Sequence, residues 1–293
     1  MSTFVIIIQI IAPVFLLAAV GFGWVRLGYD YSVSFVTRLA MNVSVPCLIF
    51  VALMSSNIDS ASLTASFGAA VVAYSMVTGV FIVIIKLAKL EGSTYLHPLI
   101  FGNTGNLGLP LALFAFGEEG LSFAVIVFAV MIVYSFSLGI WMVSGRGSGS
   151  NIFREPTVYG ALLGALFLYN GWQTPVWLTN TLQLAGQMAI PLMLITLGVA
   201  LGRIDARRFI RPLVLTVVKV ISCATIAAGV GLYFELNRIA MAVLILQLAM
   251  PVAVTSYLLA EKYGADSETV AALVVVSTAV SVITLPVMLV FLV

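Results

Sequence analysis

The sequence predicts an all-α membrane protein of ten transmembrane helices, arranged as two inverted five-helix repeats with helices four and nine broken and crossed. Three observations predict it. The composition is strongly apolar, the apolar runs have the length of a bilayer, and prolines with nearby amides recur at a nearly constant offset in the two halves.

Of 293 residues, 62% are hydrophobic and 8% are charged, with mean hydropathy +1.19. Soluble domains are about half apolar and a quarter charged, so this chain cannot cover itself with polar surface in water. Its runs of about 20 residues match a hydrocarbon core about 30 Å thick. Stretches such as 69–85 are apolar on every face, whereas barrel strands alternate over about 10 residues. In lipid the backbone must satisfy itself, so the spans are helices.

The spans fall near residues 4–25, 32–55, 63–87, 95–117, 120–143, 156–171, 177–201, 209–233, 236–260 and 268–292. The first has no basic residue before it, and Arg26 follows it, which predicts a retained helix rather than a cleaved leader. The odd-numbered connections and their flanks hold Arg26, Arg38, Lys86, Lys89, Arg146, Arg154, Arg203, Arg207, Arg208, Arg211 and Lys262, against Arg238 alone for the even ones. Positive charge stays cytoplasmic, so both termini are expected on the outer, periplasmic side of an inner membrane. The net charge of +2 is a topological signal and implies no nucleic-acid partner. Cys47 and Cys223 lie inside spans as small apolar residues, so neither a disulfide framework nor a metal site is expected. No cofactor is expected either.

A Gly/Ser-rich stretch, Ser144 to Asn151, falls near the midpoint and has linker composition. It divides the chain into residues 1–143, a cytoplasmic linker at 144–155, and residues 156–293. Five spans per half require the second half to be inserted upside down relative to the first. Pro46 and Pro191 are 145 residues apart, Pro13 and Pro156 are 143, and Pro110 and Pro251 are 141. Leu-Ala precedes Pro46 and Pro191 at equal spacing, Asn42 matches Gln187, and Asn106 matches Gln247 four residues before each later proline.

The fourth span contains Phe101-Gly102-Asn103-Thr104-Gly105-Asn106-Leu107-Gly108-Leu109-Pro110. Proline removes an amide donor and glycine opens non-helical backbone, so the helix is expected to break here. Broken backbone survives at membrane depth only when buried in protein or lining a wet cavity. The ninth span places Gln247 to Pro251 at the matching depth, ahead of Thr255 and Ser256. Half-helices beginning at Pro110 and Pro251 would offer free amides and positive partial charge to one shared space, which favours an anion. The plainer alternative is two kinked helices whose asparagines tie neighbours together.

Lys219 is the ionisable residue placed well inside a span, either as the counter-charge of an anion or in the place of a bound sodium ion. Snorkelling, or bracing of helix carbonyls, is its structural alternative. Every carboxylate falls near a helix end, so no mid-span acid is available for a proton relay, and Glu118 and Glu261 follow the broken helices as candidate gates. The single histidine, His97, precedes Pro98 outside any zinc motif, and no general base lies near a buried serine, which argues against an enzyme.

Asn-x-Gly-Asn-x-Gly-x-Pro at Asn103 to Pro110, with Asn42 to Pro46, Leu184-Ala185 to Pro191, and Gln247 to Pro251, resembles the auxin efflux carrier family over essentially the whole chain. The resemblance implies a fold like that of bile-acid symporters and sodium/proton antiporters. Helices 1, 2, 6 and 7 would form a scaffold, and helices 3–5 and 8–10 a mobile transport domain. It further implies elevator-type secondary transport of an organic anion, auxin-like or a small carboxylate, on Asn103, Asn106, Pro110, Gln247 and Pro251, and more loosely Asn42. Related folds pair through scaffold helices, which admits a homodimer. The competing expectation is a membrane sensor or partner-binding module that keeps the fold and moves nothing.

Overall fold

The structure is a computed structural model that describes residues 3–56, 58, 60–144, 156–203 and 210–293. The expected linker, apart from Ser144, lies outside the described residues, as do Arg146, Arg154, Arg207 and Arg208. The described residues are almost wholly helical: α1 (Thr3–Arg26), α2 (Val33–Leu39), α3 (Val45–Met54), α4 (Ser60–Leu87), α5 (Gly92–Ile100), α6 (Leu109–Tyr134), α7 (Ile140–Ser144), α8 (Pro156–Asn170), α9 (Val176–Gln187), α10 (Ala189–Arg203), α11 (Ile210–Tyr233), α12 (Arg238–Leu248), α13 (Val254–Tyr263) and α14 (Ser267–Leu292). Three π-turns, Ala40–Ser44, Thr104–Gly108 and Ser135–Gly139, join α2 to α3, lead into α6, and join α6 to α7.

Seven runs of the described residues are long and apolar enough to cross a membrane, including 104–144 as one run of 41 residues. Ten separate spans are therefore not what length alone delivers. Helices α5, α8, α12 and α13 are each too short to cross unaided, and the expected fourth and fifth spans run on through Gly117, where φ 66 and ψ −158 turn the chain inside α6. Large apolar side chains such as Leu16, Leu162, Val214 and Ile283 are exposed on the outside of the bundle, as lipid as solvent requires. The protein is a multi-pass membrane protein.

Packing divides the helices into two groups. In one, α1 lies along α10, and α3 lies against α8 and α9. These contacts are backbone to backbone: a Cβ on Gly198 would stand 1.8 Å from the Ala18 carbonyl oxygen, and one on Gly160 2.6 Å from that of Pro46. Association in lipid depends on such close approach, because no hydrophobic force drives helices together there. In the other group α4 packs on α5, α6 and α11, and α11 on α12 and α14. Its centre is aromatic, with Tyr74, Phe81, Phe101 and Phe123 fully buried and Tyr74 stacked on Phe101 at 6.3 Å between centroids. Between the groups runs an apolar layer that includes Ile10, Val14, Leu111, Leu194 and Leu246.

Candidate functional site: two broken helices and their buried amides

Both expected interruptions occur, and their positions differ from the expectation in an instructive way. The first lies at Phe101–Asn103, upstream of Pro110, where Phe101 is extended (φ −98, ψ 115) and Asn103 is non-helical (φ −78, ψ 52). Pro110 is the second residue of α6, a place where a missing amide donor costs little. The π-turn immediately ahead of it widens the backbone and takes up the ring, as another does ahead of Pro46. The second interruption covers Ala249–Ala253 and contains Pro251, and the half-helix beyond it starts at Val254.

The two non-helical stretches satisfy one another. The Asn103 amide donates to the Pro251 carbonyl at 2.7 Å, the Ala253 amide donates to the Phe101 carbonyl at 3.4 Å, and Gly102 bridges Val252 in antiparallel fashion. Gly102 is required at this point, since a Cβ there would lie 3.0 Å from both Cβ and the carbonyl oxygen of Met250. Two further freed groups find side chains: the Val252 amide donates to Ser277 Oγ at 2.9 Å, and the Leu99 carbonyl accepts from Lys219 Nζ at 2.9 Å. These four bonds satisfy part of the freed backbone inside the protein, as burial in lipid demands.

The side chains are not. Asn103 Nδ2, Thr104 Oγ1 and both amide atoms of Gln247 are buried with no hydrogen-bond partner among the described residues. Gln247 and Thr104 are 0% exposed and Asn103 4%. Leaving such groups unmatched costs about 1–3 kcal/mol each. Asn106 is half-buried on the same π-turn, and Pro110 and Pro251 are buried.

Asn42 is exposed, in the π-turn that precedes α3, and belongs to the other helix group. Lys219 is completely buried and fixed to the Leu99 carbonyl, at the end of α5 where the break leaves that carbonyl without its usual helical partner. Glu261 is exposed near the end of α13. Glu118 and Glu119, just beyond Gly117, line an open cavity of about 990 Å³ between α3, α6 and α9, together with Gln187 and Ser122. The cavity walls include Leu113 and Ile190, which also pack in the apolar layer between the helix groups.

Sequence reasoning set His97 aside as a residue near the start of a span. It is 1% exposed, its Nδ1 is 2.9 Å from Ser256 Oγ and its Nε2 3.1 Å from Ser135 Oγ. The ring thus ties α5 to the second broken segment and to the π-turn before α7, and it lies over Phe101 at 4.7 Å. The usable signal was Ser256, a small hydroxyl just past the second break.

A sequence profile described as membrane transport protein matches residues 6–155 and 148–289. The chain is also 26% identical over 268 residues to an uncharacterized transporter of Methanothermobacter thermautotrophicus, covering 86% of this chain and 87% of the relative. A second uncharacterized transporter, from Methanocaldococcus jannaschii, is 26% identical over 213 residues, covering 68% of this chain and 67% of that one. With profile matches that run from residue 6 to residue 289, the chain belongs to the membrane transport protein family, the family of the auxin efflux carriers.

Proposed function

We propose that the chain is a secondary transporter that carries a small organic anion, a carboxylate or an auxin-like indole acid, by alternating access. One observation carries this reading: Asn103 Nδ2 and both amide atoms of Gln247 are buried without partners, one on each of two broken helices whose backbones pair. Amide N–H groups and the starts of the half-helices that follow both breaks suit a carboxylate, which accepts hydrogen bonds and is favoured by positive helix ends. Asn106 on the same π-turn, Pro251 within the second break and Pro110 at the start of α6 are assigned to the same site, and Asn42 more loosely from the other helix group. Discontinuous helices in matching positions of two halves are the usual setting of such sites.

The same reading makes the group around α4 to α7 and α11 to α14 the moving part and the group of α1 to α3 and α8 to α10 the support, an elevator. Support comes from the apolar layer between them, which offers few directional bonds to break on sliding. The packing of α1 on α10 and of α3 on α8 pairs helices across the halves, as residues 1–143 and 156–293 would if they were inverted repeats. Inner-membrane residence with both termini outside, and a homodimer through the supporting helices, complete the proposal.

A thermal-shift screen of the purified protein against monocarboxylates, dicarboxylates and indole acids tests it. An anion that raises the melting temperature of the wild type and leaves Gln247→Ala unmoved supports the site, because ligand stabilisation follows binding to the folded state. Equal shifts in the two proteins, or none in either, count against it.

A further inference from the structure

Ser122 is 2% exposed, and its hydroxyl has two acceptors in reach: the Ala52 carbonyl of α3 at 3.1 Å and the Glu118 carbonyl of its own helix at 3.0 Å. A serine carries one hydroxyl proton, so it donates fully to one of them at a time. The two acceptors do not need it equally. Glu118 stands four residues before Ser122, where a hydroxyl bonding back along its own helix adds to a carbonyl that the helix already serves. Ala52 lies in the last turn of α3, which ends at Met54, among the carbonyls that a helix leaves without a partner. In a longer helix the Ser56 amide would serve it, but that amide donates to Leu53. The Ala52 carbonyl therefore depends on Ser122 or on water.

This bond joins the two helix groups, since α3 lies with α8 and α9, and α6 with α4 and α12. Close by, the same two helices meet through Leu48, Leu113 and Phe116 of the apolar layer, which form no directional bonds. Ser122 and Ala52 both line the cavity of about 990 Å³, together with Ser55, Ser56, Glu118 and Asn237. A cavity with such walls admits water. When the groups part, water reaches the Ala52 carbonyl and the Ser122 hydroxyl turns to Glu118, so neither end of the broken bond is left unmatched. A bond of this kind holds two bodies together and still releases them.

We propose that Ser122 is a positioning residue for alternating access: its hydroxyl latches the moving group to α3 in the conformation where the cavity is open, and passes to the Glu118 carbonyl when the groups slide. This deepens the function proposed above and rests on it. A latch whose two ends find other partners on release biases the two conformations only by its net worth. Loss of the hydroxyl therefore lowers the ratio of the cavity-open conformation to the other by about 2- to 10-fold, the range set by one neutral hydrogen bond.

Spin labels on Tyr169→Cys in α8 and Leu232→Cys in α11 test this, both positions being exposed and one lying on each group. The full chain carries Cys47→Ala, and the buried Cys223 stays in place. Distances between the labels in proteoliposomes read the populations of the two conformations. The expected result is two distances, with the one that fits this structure losing about 2- to 10-fold relative to the other in Ser122→Ala. Ser122→Thr, which keeps the hydroxyl, stays near the wild-type ratio. A bond that only held the fold together would lower the melting temperature of Ser122→Ala and leave the ratio unmoved. That result overturns the proposal, as does a single distance in every protein or a threonine variant that behaves like the alanine one. If the added methyl unfolds Ser122→Thr, wild type and Ser122→Ala still decide through the ratio. Counterflow uptake of labelled anions reports separately on transport: uptake with an unshifted ratio sinks the latch and leaves the transport reading, whereas a shifted ratio without uptake of any anion sinks the transport reading and leaves a latch between two conformations.

Discussion

Gln247 and Gly108 are in direct contact across the two broken helices: a Cβ built on Gly108 would stand 2.1 Å from Gln247 Oε1 and 2.9 Å from its Cδ. The amide of one broken segment fills the notch left by a glycine of the other. Gly108→Ala is therefore expected to push the Gln247 side chain out of place, lower stability by about 1–3 kcal/mol, and abolish the ligand-dependent shift. Gly229→Ala, where the added methyl meets nothing within 4 Å, is the matched control and should bind as wild type does. Melting curves with and without ligand measure both effects.

The His97 ring uses both nitrogens on serines from two other segments. Ser256→Ala leaves one ring nitrogen buried without a partner, at a cost of about 1–3 kcal/mol, and Ser135→Ala should cost a similar amount. Because the three residues form one network, the double variant is expected to fall short of the sum of the singles. Denaturation of the three proteins in one detergent measures this. Strict additivity would show that the imidazole does not couple the segments.

Gly198 lies against the Ala18 carbonyl where α1 and α10 touch. Gly198→Val would force these backbones apart, and a loss of at least about 3 kcal/mol is expected, at the upper end for overpacking. A melting temperature within a degree of wild type would contradict the close packing of these helices.

Asn42 and Gln247 were both expected at the site from the sequence, yet one is exposed in the supporting group and the other is fully buried at the break. Asn42→Ala should change stability by no more than about 0.5 kcal/mol and weaken ligand binding less than Gln247→Ala does. Titrated thermal shifts rank the two. A larger effect at Asn42 would move the ligand toward the supporting helices.

Much of this architecture was legible in the residues. Composition and run length point to a helical membrane protein, because only helices and closed barrels satisfy a lipid-exposed backbone and these runs are too long and too evenly apolar for barrel strands. The Gly-Asn-Thr-Gly-Asn run announced a break, since glycine and asparagine tolerate the backbone that a break needs. Its position was misplaced by several residues. Proline was read as the breaker, whereas Pro110 and Pro46 are absorbed in the first turn of a helix behind a π-turn, which no local sequence rule signals. The partners of Lys219 and His97 lie 120 and up to 159 residues away, and local spacing carries no information about contacts of that separation. Gln247 was legible as a repeat of Asn106, but its lack of any partner is a property of three-dimensional packing alone.

The central claim is that an organic anion crosses the membrane through the buried amides of Asn103 and Gln247. Counterflow uptake of labelled mono- and dicarboxylates and indole acids into proteoliposomes tests it most directly, with wild type compared against the Asn103→Ala/Gln247→Ala double variant. The account predicts that wild type accumulates at least one carboxylate or indole acid well above empty liposomes and that the double variant, equally well folded, falls to that background. Uptake undiminished in the double variant, or no uptake of any anion by the wild type, would contradict it.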